Sequence, residues 1–117
     1  MRHYPSDRVD LRSDTVTQPT PKMREIMSSA IVGDDVLGDD QTVNELQEYV
    51  AKILGKDAAL FVPSGTMSNA IAIKSQTKPG DEIVTHKKSH IYLYEGGGYA
   101  SLAGCSVSLV DGDKGIM

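Results

Sequence analysis

The sequence predicts an α/β fold with a largely parallel sheet, and three observations lead there. Apolar residues recur at helical spacing in several separate segments. Short apolar runs of strand length lie between them. Glycine, proline and cap residues punctuate each change of period. Helix, strand, helix, strand in alternation is the pattern of strands laid parallel with helices on both faces.

Residues 1–9 are polar and aperiodic and read as a tail. Asp10-Leu-Arg-Ser-Asp-Thr-Val-Thr17 has little helical character and reads as an extended arm, its hydroxyls and carboxylates bonding locally to backbone. Thr20 as cap and Pro21 at the first helical position start a helix carrying Met23, Ile26, Met27, Ala30 and Ile31, with Gly33 as its expected end. Gly33-Asp-Asp-Val-Leu-Gly-Asp-Asp40 is an acidic loop without the ligand alternation or closing Glu of a calcium loop. Thr42-Val-Asn-Glu45 reads as a capping box opening a helix with Val43, Leu46, Val50, Ile53 and Leu54 on one stripe and Gly55 as terminator.

Ala58 to Val62, closed by Pro63, reads as a strand buried on both faces. A helix is expected directly after it, carrying Met67, Ala70, Ile71 and Ile73. Lys78-Pro-Gly-Asp81 is a turn, Ile83 to Thr85 a second strand, Tyr92 to Ala103 a helix weakened by Gly96-Gly97-Gly98, and Ser106 to Val110 a third strand. Asp111 to Gly115 is a turn.

Composition narrows the function classes. Across 117 residues, 39% are apolar, enough for a globular core; that core must rest on Ile, Val, Leu, Met and Ala, since Phe61 is the one phenylalanine and Trp is absent. The net charge is −4, and Lys87-Lys88 is far short of a phosphate-tracking stripe, so nucleic acid is not an expected partner. The single Cys105 can form neither an internal disulfide nor a zinc site by itself, and reads as a small buried residue. No metal site is expected. No signal-peptide core or membrane-length stretch is visible, which makes a cytoplasmic location the expectation.

Three segments carry chemistry. The first is the strand-to-helix junction at Ser64-Gly65-Thr66, where unpaired N–H groups and the helix dipole favour an anion and two hydroxyls can donate to it. It has neither the Walker lysine nor the three glycines of a dinucleotide loop, and a plain helix cap explains it about as well. The second is His90, just after the next strand and so at the edge of a parallel sheet where ligands bind. It suits stacking on a ring or moving a proton, and capping the following helix is the alternative. His86 and His3 read as surface residues. The third is the polar arm, from which hydroxyls could reach a substrate.

Taken together, these segments resemble the threonine aldolase family in order and spacing. The match runs through Asp10 to Thr17, Gly33-Asp-Asp-Val36, Gly38, Thr42-Val43-Asn44, Ala58 to Asn69, Ser89-His90-Ile91 and Tyr94-Glu95. The resemblance implies the N-terminal part of a pyridoxal 5'-phosphate (PLP) enzyme of fold type I, with residues 10–117 belonging to its large domain. It implies cleavage of β-hydroxy-α-amino acids, threonine or allo-threonine, to glycine and an aldehyde, in a homotetramer.

Position by position, Ser64, Gly65 and Thr66 match the phosphate-binding segment and His90 the catalytic histidine stacked on the pyridine ring. Ser13 matches a serine on the substrate carboxylate and Tyr94 an aromatic position near the substrate. Leu37 stands where the family usually has a tyrosine, and Gln41 where a proline is frequent. The Schiff-base lysine, the aspartate facing the ring nitrogen and the carboxylate-binding arginines come later in the family than residue 117, so the chain alone is expected to be inactive. Another β-eliminating lyase on the same fold, such as a tryptophanase relative, and a non-catalytic piece that binds a partner chain are the alternatives.

Overall fold

The computed structural model describes residues 9–117; the expected tail and His3 fall almost wholly outside that range. The chain divides into two compact units, one ending at Ala59 and the other spanning Leu60–Met117.

In the first unit the arm is not fully extended. Asp14–Val16 make a 3-10 turn because the Ser13 hydroxyl accepts from the Thr15 amide and hydroxyl, at 3.2 and 2.9 Å. Helix α1, Pro21–Ser29, starts as its sequence dictates, with the Thr20 hydroxyl accepting from the Met23 amide. It stops before Gly33, at Ala30. Gly33 serves another purpose: a methyl group there would overlap the backbone carbonyl of Asp39. Glycine lets the two ends of the acidic loop close on each other.

Helix α2, Gln41–Leu54, is capped by Asp40 and not by Thr42. The Asp40 carboxylate accepts from the amides of Val43 (2.9 Å) and Gly33 (3.1 Å), so one side chain caps the helix and staples the loop. Thr42 is thereby freed to donate to the Ile31 carbonyl, and Glu45 accepts from the Gln41 amide group. Gly55 ends α2 in the left-handed region, φ 60°, as its position predicts.

The Val43 amide, then the Gly33 amide, hold the Asp40 carboxyl below the usual carboxylate range. A folded pKa below the unfolded one stabilises the fold fully above the unfolded value, about 3.9, and the contribution is lost as pH falls through the folded value. Asp40→Asn is therefore expected to lower Tm near neutral pH and to flatten its fall below about pH 4. Melting curves against pH check this, and parallel curves for the two proteins would contradict it.

In the second unit, helix α3 spans Gly65–Gln76, strand β1 Glu82–His86, the short helices α4 and α5 His90–Leu93 and Gly98–Ser101, and strand β2 Ser106–Val110. The two strands pair in parallel, from Glu82 opposite Ser106 to His86 opposite Val110, and α3 and α4 both contact α5. The turn before β1 closes through Asp81, whose carboxylate accepts from the Lys78 amide at 2.7 Å. The fold class is α/β, as expected.

Two expectations change here. The run Ala58 to Val62 is irregular, with Leu60 and Phe61 exposed at 68% and 48%. An apolar run signals burial, whereas a strand also needs a neighbour at ladder spacing; the sheet among the described residues is the β1–β2 pair. The expected helix from Tyr92 to Ala103 is two pieces. Gly96 and Gly97 take positive φ, 61° and 71°, and reverse the chain between them.

The buried apolar residues among those described are small: Ala51, Ala103 and Cys105. The large aliphatics expected to form the core, Leu46, Ile53 and Leu54 on the α2 stripe among them, are substantially exposed. Their periodicity marks faces that become dry only where something further covers them. Among the described residues no helix is long and apolar enough to cross a membrane.

Candidate functional site

The junction at Ser64 is a helix start of the expected kind. Ser64 is extended (φ −152°, ψ 152°), and its hydroxyl accepts from the Met67 amide at 3.1 Å. That bond uses the Ser64 oxygen as acceptor and leaves its hydrogen free to donate. The amides of Gly65 and Thr66, in the first turn, lie beyond the reach of intrahelical acceptors. Gly65 does not have the unusual backbone angle that a glycine there could suggest: its φ is not positive, and a Cβ built on it meets no atom within 4 Å. The glycine is not required by the fold, and the space over it is open to a ligand.

His90 is the first residue of α4. It does not cap the helix; that place belongs to Ser89, whose side chain makes no cap bond. The Ser89 hydroxyl is buried with no hydrogen-bond partner, an unmet group of the kind that calls for an explanation. His90 Nδ1 lies 2.7 Å from Glu95 Oε1, and the same oxygen accepts from Asn69 Nδ2 at 2.6 Å. The Glu95 side chain is 4% exposed while that of His90 is 64% exposed. The ring is thus held from a buried edge and open on its other side. Tyr94 packs on it, ring centroids 5.2 Å apart and planes at 49°.

The structure therefore ties α3, which carries Thr66 in its first turn, to the His90–Tyr94 pair through the Glu95 carboxylate. In the sequence Asn69 and Glu95 are motif positions without a role. Their pairing spans 26 residues, and no local period announces it. Ser13 belongs to the other unit, where its hydroxyl is occupied with Thr15 and Asp14. Leu37 lies in the loop of that unit and is exposed.

A shallow opening at the carboxyl ends of β1 and β2 is lined by His86, Lys87, Lys88, Asp111 and Lys114. Lys87 is paired there with Asp111 at 2.5 Å. None of the expected site residues lines it.

The donor set at Ser64–Thr66 fits a phosphate monoester: two first-turn amides, two hydroxyls and clear space over Gly65. An exposed imidazole with a fixed edge fits an aromatic ring. These are the two ends that PLP presents.

Comparison with known proteins gives the family. The profile of the beta-eliminating lyase family matches residues 10–117. The low specificity L-threonine aldolase of Escherichia coli (strain K12) is 48% identical over 103 residues, 88% of this chain and 31% of the relative. The probable low-specificity L-threonine aldolase 2 of Arabidopsis thaliana is 54% identical over 97 residues, 82% of this chain and 27% of the relative. The low specificity L-threonine aldolase of Saccharomyces cerevisiae is 43% identical over 95 residues, 80% of this chain and 24% of the relative. The chain spans 24–31% of the length of these relatives. With the profile covering nearly all of it, the chain belongs to the beta-eliminating lyase family, a family of enzymes on the α/β fold type I of PLP proteins.

Proposed function

We propose that this chain is the cofactor-phosphate and ring-stacking part of an enzyme that cleaves β-hydroxy-α-amino acids, threonine or allo-threonine, to glycine and acetaldehyde. The observation that carries the reading is the donor set at Ser64–Thr66, in one unit with an edge-held His90. The names of the relatives point to the same chemistry.

When bound, PLP supplies an electron sink for the pair released as the Cα–Cβ bond breaks. The work left to the chain is positioning and proton handling. The amides of Gly65 and Thr66 and the hydroxyls of Ser64 and Thr66 hold the phosphate, aided by the α3 dipole. His90 stacks on the ring, and its Nε2 is suited to accept the proton of the substrate β-hydroxyl. Ser13 holds the substrate carboxylate through its hydroxyl, and Tyr94 borders the substrate. This reading assigns the lysine that would bond the cofactor, the partner of the ring nitrogen and the arginines to parts of the enzyme other than residues 10–117, which cover 24–31% of the relatives' length. The same reading carries a homotetramer and a cytoplasmic place of action, both implied by the resemblance to threonine aldolases.

The test uses a full-length protein that carries this segment. With PLP present it is expected to release acetaldehyde and glycine from threonine or allo-threonine, and borohydride is expected to fix the cofactor on one lysine outside residues 1–117. The 117-residue segment by itself is expected to do neither. It is also expected to associate, given how much of Leu60, Phe61 and the α2 stripe is exposed. Turnover by the segment, with a stoichiometric adduct on one of its own lysines, would overturn the division of labour proposed here. A full-length protein that binds the cofactor and cleaves neither substrate would favour a different β-eliminating lyase.

A further inference from the structure

The Glu95 side chain is ionisable, 4% exposed, and used by no step described so far. Its Oε1 atom accepts from Asn69 Nδ2 at 2.6 Å and lies 2.7 Å from His90 Nδ1. We infer that Glu95 is a positioning residue: anchored on α3 through Asn69, it fixes the His90 proton on Nδ1, leaves Nε2 a free acceptor, and sets the plane of the ring. This inference rests on the proposed role of His90.

The argument is one of donors and acceptors. An ionised carboxylate can only accept, so the short contact requires a hydrogen on Nδ1. A neutral imidazole carries one N–H, so Nε2 is then bare and can take a proton. An exposed ion pair would do this weakly, because two solvated side chains lose entropy to hold one geometry. Glu95 differs, since its side chain is 4% exposed and a second donor holds it. The left-handed glycines Gly96 and Gly97 reverse the chain immediately after it, and the Gly98 amide returns to the Glu95 carbonyl at 3.1 Å. The carboxylate is thereby fixed from its own backbone as well. Because Asn69 sits one turn into the helix that begins with Gly65, a single carboxylate joins the helix of the phosphate donors to the ring of His90.

The test compares Glu95→Ala and Glu95→Gln in a full-length protein carrying this segment and labelled with 15N-histidine, the His90 signals being assigned by their loss in His90→Asn. In the wild type, long-range 15N spectra are expected to show His90 protonated on Nδ1. Glu95→Ala is expected to move the proton partly or wholly to Nε2 and to lower kcat by on the order of a hundredfold, with KM for threonine nearly unchanged. Glu95→Gln retains a carbonyl oxygen that can accept both bonds, and is expected to keep the Nδ1 proton and most of the rate.

Nδ1 protonation and wild-type kcat in Glu95→Ala would overturn the inference. So would a loss in Glu95→Gln as deep as in Glu95→Ala, which would place the effect in the charge. If Glu95→Ala does not fold, Asn69→Ala removes the anchor alone; a lower kcat at constant KM is expected there, and a wild-type kcat overturns the inference. If the wild type cleaves no threonine, the reaction reading fails, and the tautomer spectra still decide whether Glu95 positions the ring.

Discussion

Replacing Gly65 by Val in a full-length protein is expected to leave the fold intact and to abolish retention of PLP. The two halves of that result come from one observation: a Cβ at Gly65 meets no atom within 4 Å, so a side chain fits the chain and fills the space in front of the first-turn amides. Excluding the phosphate from those amides forfeits at least two charge-assisted hydrogen bonds of about 1.5–3 kcal/mol each. That is roughly a hundredfold or more in affinity. Thr66→Val is the graded companion. It removes one hydroxyl donor, leaves both amides, and is expected to weaken binding by about tenfold. Equilibrium dialysis with absorbance detection reads both, and melting curves establish that the variants are folded. If Gly65→Val and Thr66→Val hold the cofactor as tightly as wild type, the junction is a helix cap and nothing more.

His90→Ala is expected to lower kcat by about a hundredfold or more, with a Tm close to wild type. The side chain is 64% exposed, so its removal takes little from the packing of the unit. What is lost is the stacked ring and the acceptor at Nε2. His90→Asn restores a hydrogen-bonding group of smaller size that can still donate to Glu95, and it too is expected to keep the Tm without recovering rate. Steady-state kinetics on threonine checks the pair. Wild-type turnover in either variant would remove His90 from the catalytic centre.

Much of this was readable from local chemistry. Thr20 with Pro21 started α1, Gly55 ended α2 and Ser64 opened α3, because caps and left-handed glycines act over three or four residues. The strand Ser106–Val110 was found to the residue through its alternation. Most of the departures are cases where a group outside the local segment decides. Asp40 won the α2 cap over Thr42 because Gly33, seven residues earlier, adds a second amide to its carboxylate. The run Ala58 to Val62 has the composition of a strand, but strand structure is a property of a pair. In the sequence Gly96 and Gly97 read as weakening a helix, and in the structure they turn the chain so that Glu95 faces back toward His90 and Asn69. The junction at Ser64–Thr66 and the position of His90 after β1 were legible as candidates. The carboxylate that joins their elements was not, because a contact across 26 residues leaves no trace in periodicity.

The most direct test of the account is a crystal structure of a full-length protein carrying this segment, with PLP bound. The account predicts phosphate oxygens within hydrogen-bond distance of the Gly65 and Thr66 amides and the pyridine ring face to face with the His90 imidazole, whose Nδ1 still points at Glu95. A phosphate held elsewhere, with the space over Gly65 filled by solvent or protein and His90 away from the ring, would contradict it.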